Sequence, residues 1–278
     1  MTDSRERINE RLAKASRVWL FLDYDGTLAD LAPTPAHVLP HSEVIDLVSN
    51  LAHHPRIRLA VVSGRRMQDL EKLLPVPGIF LAGTYGVEIR TPEGETQHRE
   101  DFDSLRLILQ ELKRSWHKLL VGRPRFFLED KGWAIALHAR HVPDQEATAV
   151  LSQAEALAAR TTSSGPFCVL GGDKFLEIAP LQADKGRSVE YLLERYAWPG
   201  ALPVYLGDDD KDEAAFVVIQ RLGGLALVVG SRRQDTDADG SLESPKAARE
   251  WLAGLPTRMA SQDCESVVRS RGSGPWRA

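Results

Sequence analysis

The chain has 278 residues, and its 35 lysine and arginine residues nearly balance its 39 aspartate and glutamate residues, leaving a net charge of −4. This balance excludes the strongly basic surface of a nucleic-acid-binding protein and the basic patch of a membrane-surface protein. Two cysteines and no apolar run of bilayer length also exclude disulfide-rich and membrane-spanning proteins. Because the N-terminal segment lacks the apolar stretch of a signal peptide, we expect a cytoplasmic protein, and we favour a monomer that binds a small molecule.

The first part of the chain alternates strand-like and helical patterns after a polar N-terminal helix. The apolar run VWLFLDY precedes a proline-rich loop with Pro33, Pro35 and Pro40, and then a predicted helix near 41–54. The run IRLAVVSG, a helix near 65–74 and the run IFLAGTYGVEIR follow. Short apolar runs separated by amphipathic helices indicate parallel strands joined by crossover helices.

The middle of the chain breaks this alternation. Its predicted elements are a helix, the strands RFFLED and WAIALHAR, a second helix, and the strands PFCVL and KFLEIA. Two strand pairs separated by a helix indicate an α+β module with its own sheet. The earlier alternation then returns with the strands PVYLGDDD and LALVVGS, between helices near 184–196, 211–221 and 244–254.

We therefore predict an α/β fold with a doubly wound, mostly parallel core and an inserted α+β domain. The predicted core comprises residues 1–100 and 181–256, and the predicted insert comprises residues 101–180. Residues 257–278 lack apolar periodicity, so we predict a flexible tail there.

The first strand ends in two closely spaced acids. Asp23 and Asp25 share one face of the strand, whereas Tyr24 points away. Open α/β sheets bind ligands at the carboxyl ends of their strands. Gly26 and Thr27 allow the backbone to turn there and to direct N–H groups at an anion.

Two further stretches suit a phosphate group. Ser63, Gly64 and Arg65 lie between a buried strand and a helix, where a hydroxyl and free N–H groups favour an anion. The alternative is that Ser63 caps the helix. Lys185 lies near the start of a later helix and would face the same phosphate, or it is an ordinary solvated lysine.

A second acidic cluster follows the strand PVYLG and consists of Asp208, Asp209, Asp210, Asp212 and Glu213. Two acidic strand ends in one parallel sheet converge on one crevice, and their repulsion requires a cation. Mg²⁺ prefers a few carboxylates together with water and a phosphate oxygen. The sequence therefore predicts a magnesium site shared with a phosphorylated substrate.

Four motifs occur in order along the chain, namely DYDGT, SGR, the lysine of DKG, and GDDxxDE. Together they resemble the motifs of the haloacid dehalogenase phosphatase superfamily, over roughly residues 17 to 256. The resemblance implies a Rossmann-like core and an Mg²⁺-dependent phosphatase in which Asp23 forms an aspartyl-phosphate intermediate. It also implies that Asp25 acts first as general acid and then as general base.

The same resemblance assigns roles to the other core residues. Ser63 and Lys185 would hold the phosphoryl oxygens, with Thr27, Gly64 and Arg65 binding beside them. The Mg²⁺ ion would be bound by Asp23, the backbone carbonyl of Asp25, and Asp208, while Asp209 and Asp212 would bind through water or orient the site.

The insert resembles the cap of trehalose-6-phosphate phosphatases, a cap of class IIB, in the segments FLEDKGWAIALHAR and GGDKFLEIAP. This resemblance implies that sugar hydroxyls are held by Glu129, Lys131, Arg140, Lys174 and Glu177. The alternative is that these are solvent-facing residues of amphipathic strands.

Four positions depart from the usual pattern of that family, and we expect all of them on the sugar side: Tyr85, Ala139, Asp173 and Ala179. We therefore predict hydrolysis of trehalose 6-phosphate to trehalose and phosphate, a step of trehalose biosynthesis. The alternatives are the same chemistry on sucrose phosphate or on glucosyl- or mannosyl-3-phosphoglycerate, and a non-catalytic regulator that binds a sugar phosphate. The regulator is disfavoured by the presence of Asp23, Asp25, Lys185 and Asp208.

Overall fold

The structure is a computed structural model that describes residues 2–31, 39–163, 165–230 and 236–260. Most of the predicted proline-rich loop and most of the predicted tail, residues 32–38 and 261–278, lie outside the described residues. Within the described ranges, no helix combines the length and the apolar character needed to cross a membrane.

The strands form two separate sheets. In chain order they are β1 (Arg17–Leu22), β2 (Ile57–Val62), β3 (Phe80–Gly83), β4 (Glu88–Arg90), β5 (Thr96–His98), β6 (Phe127–Asp130), β7 (Ile135–His138), β8 (Phe167–Gly172), β9 (Phe175–Pro180), β10 (Ala201–Gly207), β11 (Leu225–Val229) and β12 (Gly240–Leu242). The larger sheet has eight strands in the order β12-β11-β10-β1-β2-β3-β4-β5, and the smaller has four in the order β6-β7-β9-β8. Strands β12 to β3 are parallel, whereas β4 and β5 add antiparallel pairs at one edge.

The helices connect and cover these strands. They are α1 (Thr2–Lys14), α2 (Ser42–Ala52), α3 (Met67–Leu73), α4 (Phe102–Leu119), α5 (Asp144–Thr162), α6 (Lys185–Arg195), α7 (Glu213–Arg221), α8 (Pro245–Ala253) and α9 (Leu255–Ala260). Two short 3₁₀ helices, Thr84–Gly86 and Asp210–Asp212, lie at the ends of strands β3 and β10.

The larger sheet is buried on both faces, as its central strand β1 shows. Leu20 and Leu22 pack in one apolar cluster with residues of α1, α2, α3 and α8, while Trp19 and Phe21 pack in another with residues of α6 and α7. Alternate side chains of a strand point to opposite faces, so a strand covered by helices on both sides requires a continuous apolar run. This is why VWLFL predicts a central parallel strand.

The smaller sheet is antiparallel throughout and forms a separate cap with α4 and α5. These two helices pack against each other through Trp116 of α4, which is fully buried and donates its indole N–H to the Ala154 carbonyl of α5 at 2.9 Å. Phe167 and Ile178 contribute the apolar face of the sheet to the same cluster. The opposite face of this sheet lines the cavity described below.

The run IFLAGTYGVEIR is interrupted in the structure, although the sequence reads as one strand-like segment. Strands β3 and β4 are antiparallel and are separated by the turn at residues 84–86, where Thr84 and Tyr85 have φ angles of 47° and 55°. Such positive φ angles cost energy for non-glycine residues. Here the Tyr85 N–H donates to the Ser63 carbonyl at 2.8 Å and the Thr84 N–H donates to the Arg65 carbonyl at 2.7 Å, which holds the turn in place.

The predicted α/β fold, with a doubly wound core and an inserted α+β cap, is confirmed by this arrangement of sheets. The predicted boundary of the flexible tail, residue 257, is too early, because residues 257–260 belong to α9. Leu255 and Met259 of this helix are fully buried in the core beside β1 and α1, so apolar packing extends the folded region past residue 256.

Candidate active site

Two acidic strand ends meet at the centre of the larger sheet. Asp23 follows β1 and Asp208 follows β10, and these parallel neighbours are in register at Leu22 and Leu206. The Asp23 N–H donates to the Leu206 carbonyl at 2.9 Å. One carboxylate oxygen from each of Asp23, Asp208 and Asp212 lies within 4.8 Å of the others, so this end of the sheet could hold a metal ion.

Lys185, the first residue of α6, lies between the acids and is 3% exposed. Its Nζ lies 2.8 Å from Asp23 Oδ1, 2.7 Å from Asp212 Oδ1 and 3.8 Å from Asp209 Oδ1. Burial disfavours the ammonium, but the carboxylates of Asp212 and Asp23 outweigh it and raise the pKa of Lys185. The lysine is therefore a fixed cation at the Asp23 carboxylate, and the alternative of a solvated lysine is wrong.

Asp212 is fully buried, and both of its carboxylate oxygens accept hydrogen bonds. Oδ1 accepts from Lys185 Nζ at 2.7 Å and from Tyr205 Oη at 2.6 Å, while Oδ2 accepts from the N–H groups of Asp208 at 3.0 Å and Asp209 at 3.1 Å. These contacts make Asp212 a residue that positions the lysine and the acidic turn. Tyr205 lies inside a buried strand, where nothing in the sequence pattern distinguishes it from a core aromatic residue.

The carboxylates at this end of the sheet are electrostatically crowded. Burial and then the carboxylate of Asp212 raise the pKa of Asp208 to about 6. Burial also raises the pKa of Asp23 well above its ordinary value, although the ammonium of Lys185 acts in the opposite direction. The Thr27 hydroxyl donates to Asp208 Oδ1 at 3.3 Å. A bound divalent cation would relieve this crowding, so the donor set fits a metal site.

The SGR motif lies beside the DYDGT motif. Arg65 binds both carboxylate oxygens of Asp25, with Nε to Oδ2 at 2.5 Å and a terminal nitrogen to Oδ1 at 2.6 Å. Ser63 is buried, and its Oγ accepts the Arg65 N–H at 3.2 Å. The interpretation of Ser63 as a helix cap is wrong, because α3 begins at Met67 with Arg66 in the N-cap position.

A cavity of about 550 Å³ lies between these residues and the cap. Among the predicted site residues it is lined by Asp23, Asp25, Ser63, Gly64, Arg65, Glu129, Lys131, Arg140, Lys185, Asp208 and Asp209. The predicted residues that do not line it are Thr27, Lys174, Glu177 and Asp212. Of these, Thr27 and Asp212 are fully buried, and each makes a hydrogen bond with Asp208, which does line the cavity.

Glu177 lies beneath the cap side of the cavity and is fully buried. Its Oε2 accepts hydrogen bonds from Lys131 Nζ at 2.9 Å and from Tyr85 Oη at 3.1 Å. Tyr85 belongs to the core, whereas Lys131 and Glu177 belong to the cap sheet region, so this contact joins the two parts. In the free protein Glu177 therefore positions Lys131 and Tyr85.

Glu129 has a partner of its own on the neighbouring strand. Its Oε2 lies 2.9 Å from His138 Nε2. Burial acts to raise the pKa of Glu129, but the hydrogen bond to His138 and the charge of Lys131 outweigh it and hold this pKa below its usual range. Glu129 thus presents a carboxylate acceptor to the cavity.

Lys174 points away from the cavity. Its Nζ donates to the Val142 carbonyl at 2.8 Å and pairs with Asp144 Oδ1 at 2.5 Å. The residue has a φ of 51°, so it occupies the tight turn between β8 and β9 rather than a regular strand position. The alternation of side chains along a strand would have placed Lys174 on the sugar side, but it does not apply at this turn.

Two of the four departing positions are likewise not on the sugar side. Ala139 and Ala179 are fully buried in the apolar cluster of the cap, and the expectation that they face the sugar is wrong. Tyr85 and Asp173 do line the cavity. The small side chains of the two alanines fill space in the cap interior, so they do not alter the cavity lining directly.

Several cavity residues had no assigned role in the sequence: Leu31, Arg125, Phe127, His138, His141, Phe175 and Lys211. Strand alternation could have found some of them, because Phe127 shares its side of β6 with Glu129. In the register of the cap sheet, Phe127 lies opposite His138, and His138 lies opposite Phe175. Register of this kind is set by the tertiary structure and is not visible in the separate strands.

Comparison with known proteins agrees with this geometry. The family model described as trehalose-phosphatase matches residues 21–246. The trehalose-6-phosphate phosphatase of Escherichia coli is 33% identical over 266 residues, which cover 92% of this chain and 95% of that protein. The chain belongs to the trehalose-phosphatase family. It is therefore a phosphatase, and the family predicted from the two cap segments is confirmed.

Other members of the family and solved structures agree. A probable trehalose-phosphate phosphatase of Sinorhizobium fredii is 33% identical over 240 residues, covering 85% of this chain and 86% of that protein. The C-terminal domain of trehalose-6-phosphate phosphatase from C. albicans superimposes with a TM-score of 0.78 at 20% identity, covering 91% of this chain and 96% of that one. At that identity the structural likeness supports the shared fold.

Proposed function

We propose that the chain is an Mg²⁺-dependent phosphatase that hydrolyses trehalose 6-phosphate to trehalose and inorganic phosphate. The observation that carries this proposal is one cavity that joins Asp23, Lys185 and Asp208 to the charged face of the cap, in a member of the trehalose-phosphatase family. The phosphate would lie at the acidic end of the core, and the disaccharide would lie against the cap. Cytoplasmic location and a monomeric state remain part of the proposal.

The proposed first step transfers the phosphoryl group to Asp23. A carboxylate oxygen of Asp23 attacks phosphorus, the bond from phosphorus to the sugar oxygen breaks, and Asp25 gives that oxygen a proton. Lys185, whose Nζ lies 2.8 Å from Asp23 Oδ1, holds the nucleophile and is placed to bind a phosphoryl oxygen. Ser63 and the N–H groups of its turn would bind other phosphoryl oxygens.

The proposed second step returns the enzyme to its starting state. Asp25 takes a proton from water, the water oxygen attacks phosphorus, and the bond between Asp23 and phosphorus breaks. Before either step, Asp25 must leave the two hydrogen bonds that Arg65 makes to it in the free protein. Arg65 would then be available to bind the substrate, in agreement with its predicted role.

Magnesium is the proposed metal because the available ligands are carboxylate oxygens. Asp23 and Asp208 would hold it with the backbone carbonyl of Asp25, while Asp209 and Asp212 would support the site. Held there, Mg²⁺ would neutralise charge on the transferring phosphoryl group. Asp212 is already engaged by four donors, which favours a supporting role over direct binding.

The sugar would be held by the charged face of the cap. Glu129, Lys131 and Arg140 line the cavity and offer both acceptors and donors to hydroxyl groups. Glu177 would act through Lys131, or would bind the sugar directly after a rearrangement of the cap. The geometry provides no equivalent support for Lys174.

The decisive variant is Asp23→Asn, which keeps the shape of the side chain and removes the nucleophilic carboxylate. We expect the rate of phosphate release from trehalose 6-phosphate to fall by at least about 10⁴-fold. Circular dichroism should show a retained fold. The matched control is Asp46→Asn on the exposed surface of α2, which should keep wild-type turnover.

A substrate panel completes the test with the wild-type protein. Phosphate release should be fastest from trehalose 6-phosphate among sugar phosphates, including sucrose phosphate and glucosyl-3-phosphoglycerate. Removal of Mg²⁺ with a chelator should abolish it, and added Mg²⁺ should restore it. Normal turnover by Asp23→Asn would rule out Asp23 as the nucleophile. A preference for another sugar phosphate would rule out only trehalose 6-phosphate as the main substrate.

A further inference from the structure

Lys211 is a charged residue of the cavity that has no role in the steps proposed above. It lies in the 3₁₀ helix Asp210–Asp212, directly after the acidic end of β10, and its backbone N–H donates to Asp209 Oδ1 at 2.9 Å. Its half-buried side chain lines the cavity together with Asp23 and Lys185. In the motif GDDxxDE it occupies one of the unspecified positions.

The ammonium of Lys211 differs from neighbouring cations in its partners. Three other cations of the cavity are paired with carboxylates, namely Lys185 with Asp23 and Asp212, Arg65 with Asp25, and Lys131 with Glu177. For Lys211, no carboxylate oxygen of the described residues lies within 4.0 Å of Nζ. A partly buried charge without a paired carboxylate is costly unless a ligand supplies acceptors.

The hydrogen-bond donors of Lys211 are also only partly used. Nζ donates to Tyr85 Oη at 3.0 Å and lies 4.4 Å from the centre of the Phe175 ring. Within the part of the chain that the structure describes, this is its one side-chain hydrogen bond. Since an ammonium carries three N–H donors, two remain for acceptors that enter the cavity.

The position of Lys211 indicates which part of a ligand it would meet. The Tyr85 ring that contacts it packs against Gly64, where a Cβ atom would lie 2.7 Å from Tyr85 Oη. Gly64 belongs to the turn predicted to hold the phosphate, whereas Phe175 belongs to the cap strand β9. Lys211 therefore lies between the phosphate end of the cavity and the cap face.

We propose that Lys211 is a substrate-binding residue whose ammonium group donates hydrogen bonds to sugar oxygens next to the phosphate ester. The inference deepens the proposed function and rests on it. The phosphoryl group already has a cation in Lys185. Of the two lysines whose Nζ lies near both the Tyr85 and the Phe175 ring, Lys131 is paired with Glu177, which leaves Lys211 as the one without a carboxylate partner among the described residues. Hydrogen bonds from a charged donor are stronger than neutral ones, so Lys211 would contribute to selection of a sugar phosphate.

The test is Lys211→Met, which keeps an unbranched apolar side chain between Tyr85 and Phe175 and removes the donors. We expect KM for trehalose 6-phosphate to rise about tenfold or more, because charged hydrogen bonds are lost. KM for para-nitrophenyl phosphate, which has no sugar, should rise less than about threefold. The control is Lys246→Met on α8, where the lysine side chain is 78% exposed and should leave both KM values unchanged.

Three outcomes would overturn the inference: no change of KM for either substrate, an equal rise for both, or a fall in Tm with a loss of kcat on both. The last would indicate a structural role, and the second would indicate a contact with phosphate. These results differ from a failure of the proposed function. That failure would appear as wild-type protein that does not hydrolyse trehalose 6-phosphate at all.

Discussion

A single buried lysine holds together the two acidic ends of the larger sheet. Lys185 contacts Asp23, which follows β1, and Asp212, which lies beyond β10. An isolated buried carboxylate would be strongly disfavoured, and a shared ammonium makes two of them tolerable. Asp208 has no such contact to Lys185, and burial together with the Asp212 carboxylate raises its pKa to about 6.

The raised pKa of Asp208 predicts a pH dependence of metal binding. Because this pKa in the folded protein, about 6, exceeds the ordinary value of 3.8, the protonated group stabilises the fold at low pH, and that contribution is lost as pH rises through about 6. A metal ion requires the carboxylate form, so binding competes with the proton. We expect Mg²⁺ to raise Tm clearly at about pH 7.5 and only slightly at about pH 5.

Thermal unfolding with Mg²⁺ and with chelator at the two pH values measures this effect. In Asp208→Asn the side chain no longer titrates, and the Mg²⁺-dependent rise of Tm should be small at both pH values. An equal rise of Tm in the wild-type protein at both pH values would contradict the assignment of Asp208 as a titrating ligand.

Ser188 of helix α6 makes a close contact with the turn between β3 and β4. Ser188 Oγ of α6 lies 2.5 Å from the Tyr85 carbonyl oxygen and 2.8 Å from the Asp184 carbonyl oxygen. Gly86 allows this approach, because a Cβ atom there would lie 1.9 Å from Ser188 Oγ. Since α6 begins at Lys185 and the turn carries Tyr85, this contact aligns the core cation with the cap side of the cavity.

Gly86→Ala tests the importance of that alignment. Gly86 has a φ of 85°, and the added methyl group would also separate the turn from α6. We expect a loss of about 2 kcal/mol or more in the free energy of unfolding, and a fall in Tm of about 5 °C. Turnover should fall as well, because Lys185 and Tyr85 would be displaced.

Gly94→Ala provides the matched control. Gly94 has a similar φ of 91°, but no heavy atom lies within 4 Å of the position of its Cβ atom. This variant has the backbone strain without the collision, so it should lose about 1 kcal/mol and keep turnover. Equal effects of the two substitutions would show that the contact between α6 and the turn is unimportant.

The core and the cap are joined by two short segments. One lies between β5, which ends at His98, and α4, which begins at Phe102, and the other lies between β9, which ends at Pro180, and α6, which begins at Lys185. We expect hinges at these two segments, near residues 98–102 and 178–183. Short connections of this kind allow two compact bodies to close around a ligand.

Cap closure is therefore a prediction for the molecule as a whole. Small-angle X-ray scattering of Asp23→Asn should show a smaller radius of gyration when trehalose 6-phosphate and Mg²⁺ are added together. Inorganic phosphate with Mg²⁺ should have a weaker effect, because it does not reach the cap. A radius of gyration that does not change with the sugar phosphate, despite calorimetric evidence of binding, would contradict closure.

The core chemistry was predictable from the sequence for local reasons. Asp23 and Asp208 each follow an apolar strand directly, and parallel neighbours bring their ends together. The cap was less predictable, because its residues depend on turns and register. Lys174 falls in the tight turn between two strands and faces Asp144, and Ala139 and Ala179 are buried inside the cap.

The sequence by itself determined the alternation of strands and helices, the order of the four motifs and the acids at two strand ends, because these depend on neighbouring residues. Only the tertiary structure decided that Tyr85 would join Glu177 to Lys211, and that Lys211 would keep unused donors towards the cavity. Those contacts join residues 92 and 126 positions apart in the chain. The Tyr85–Glu177 contact arises from how the cap packs on the core, and the Tyr85–Lys211 contact arises from how two distant parts of the core pack together. No local sequence pattern specifies either contact.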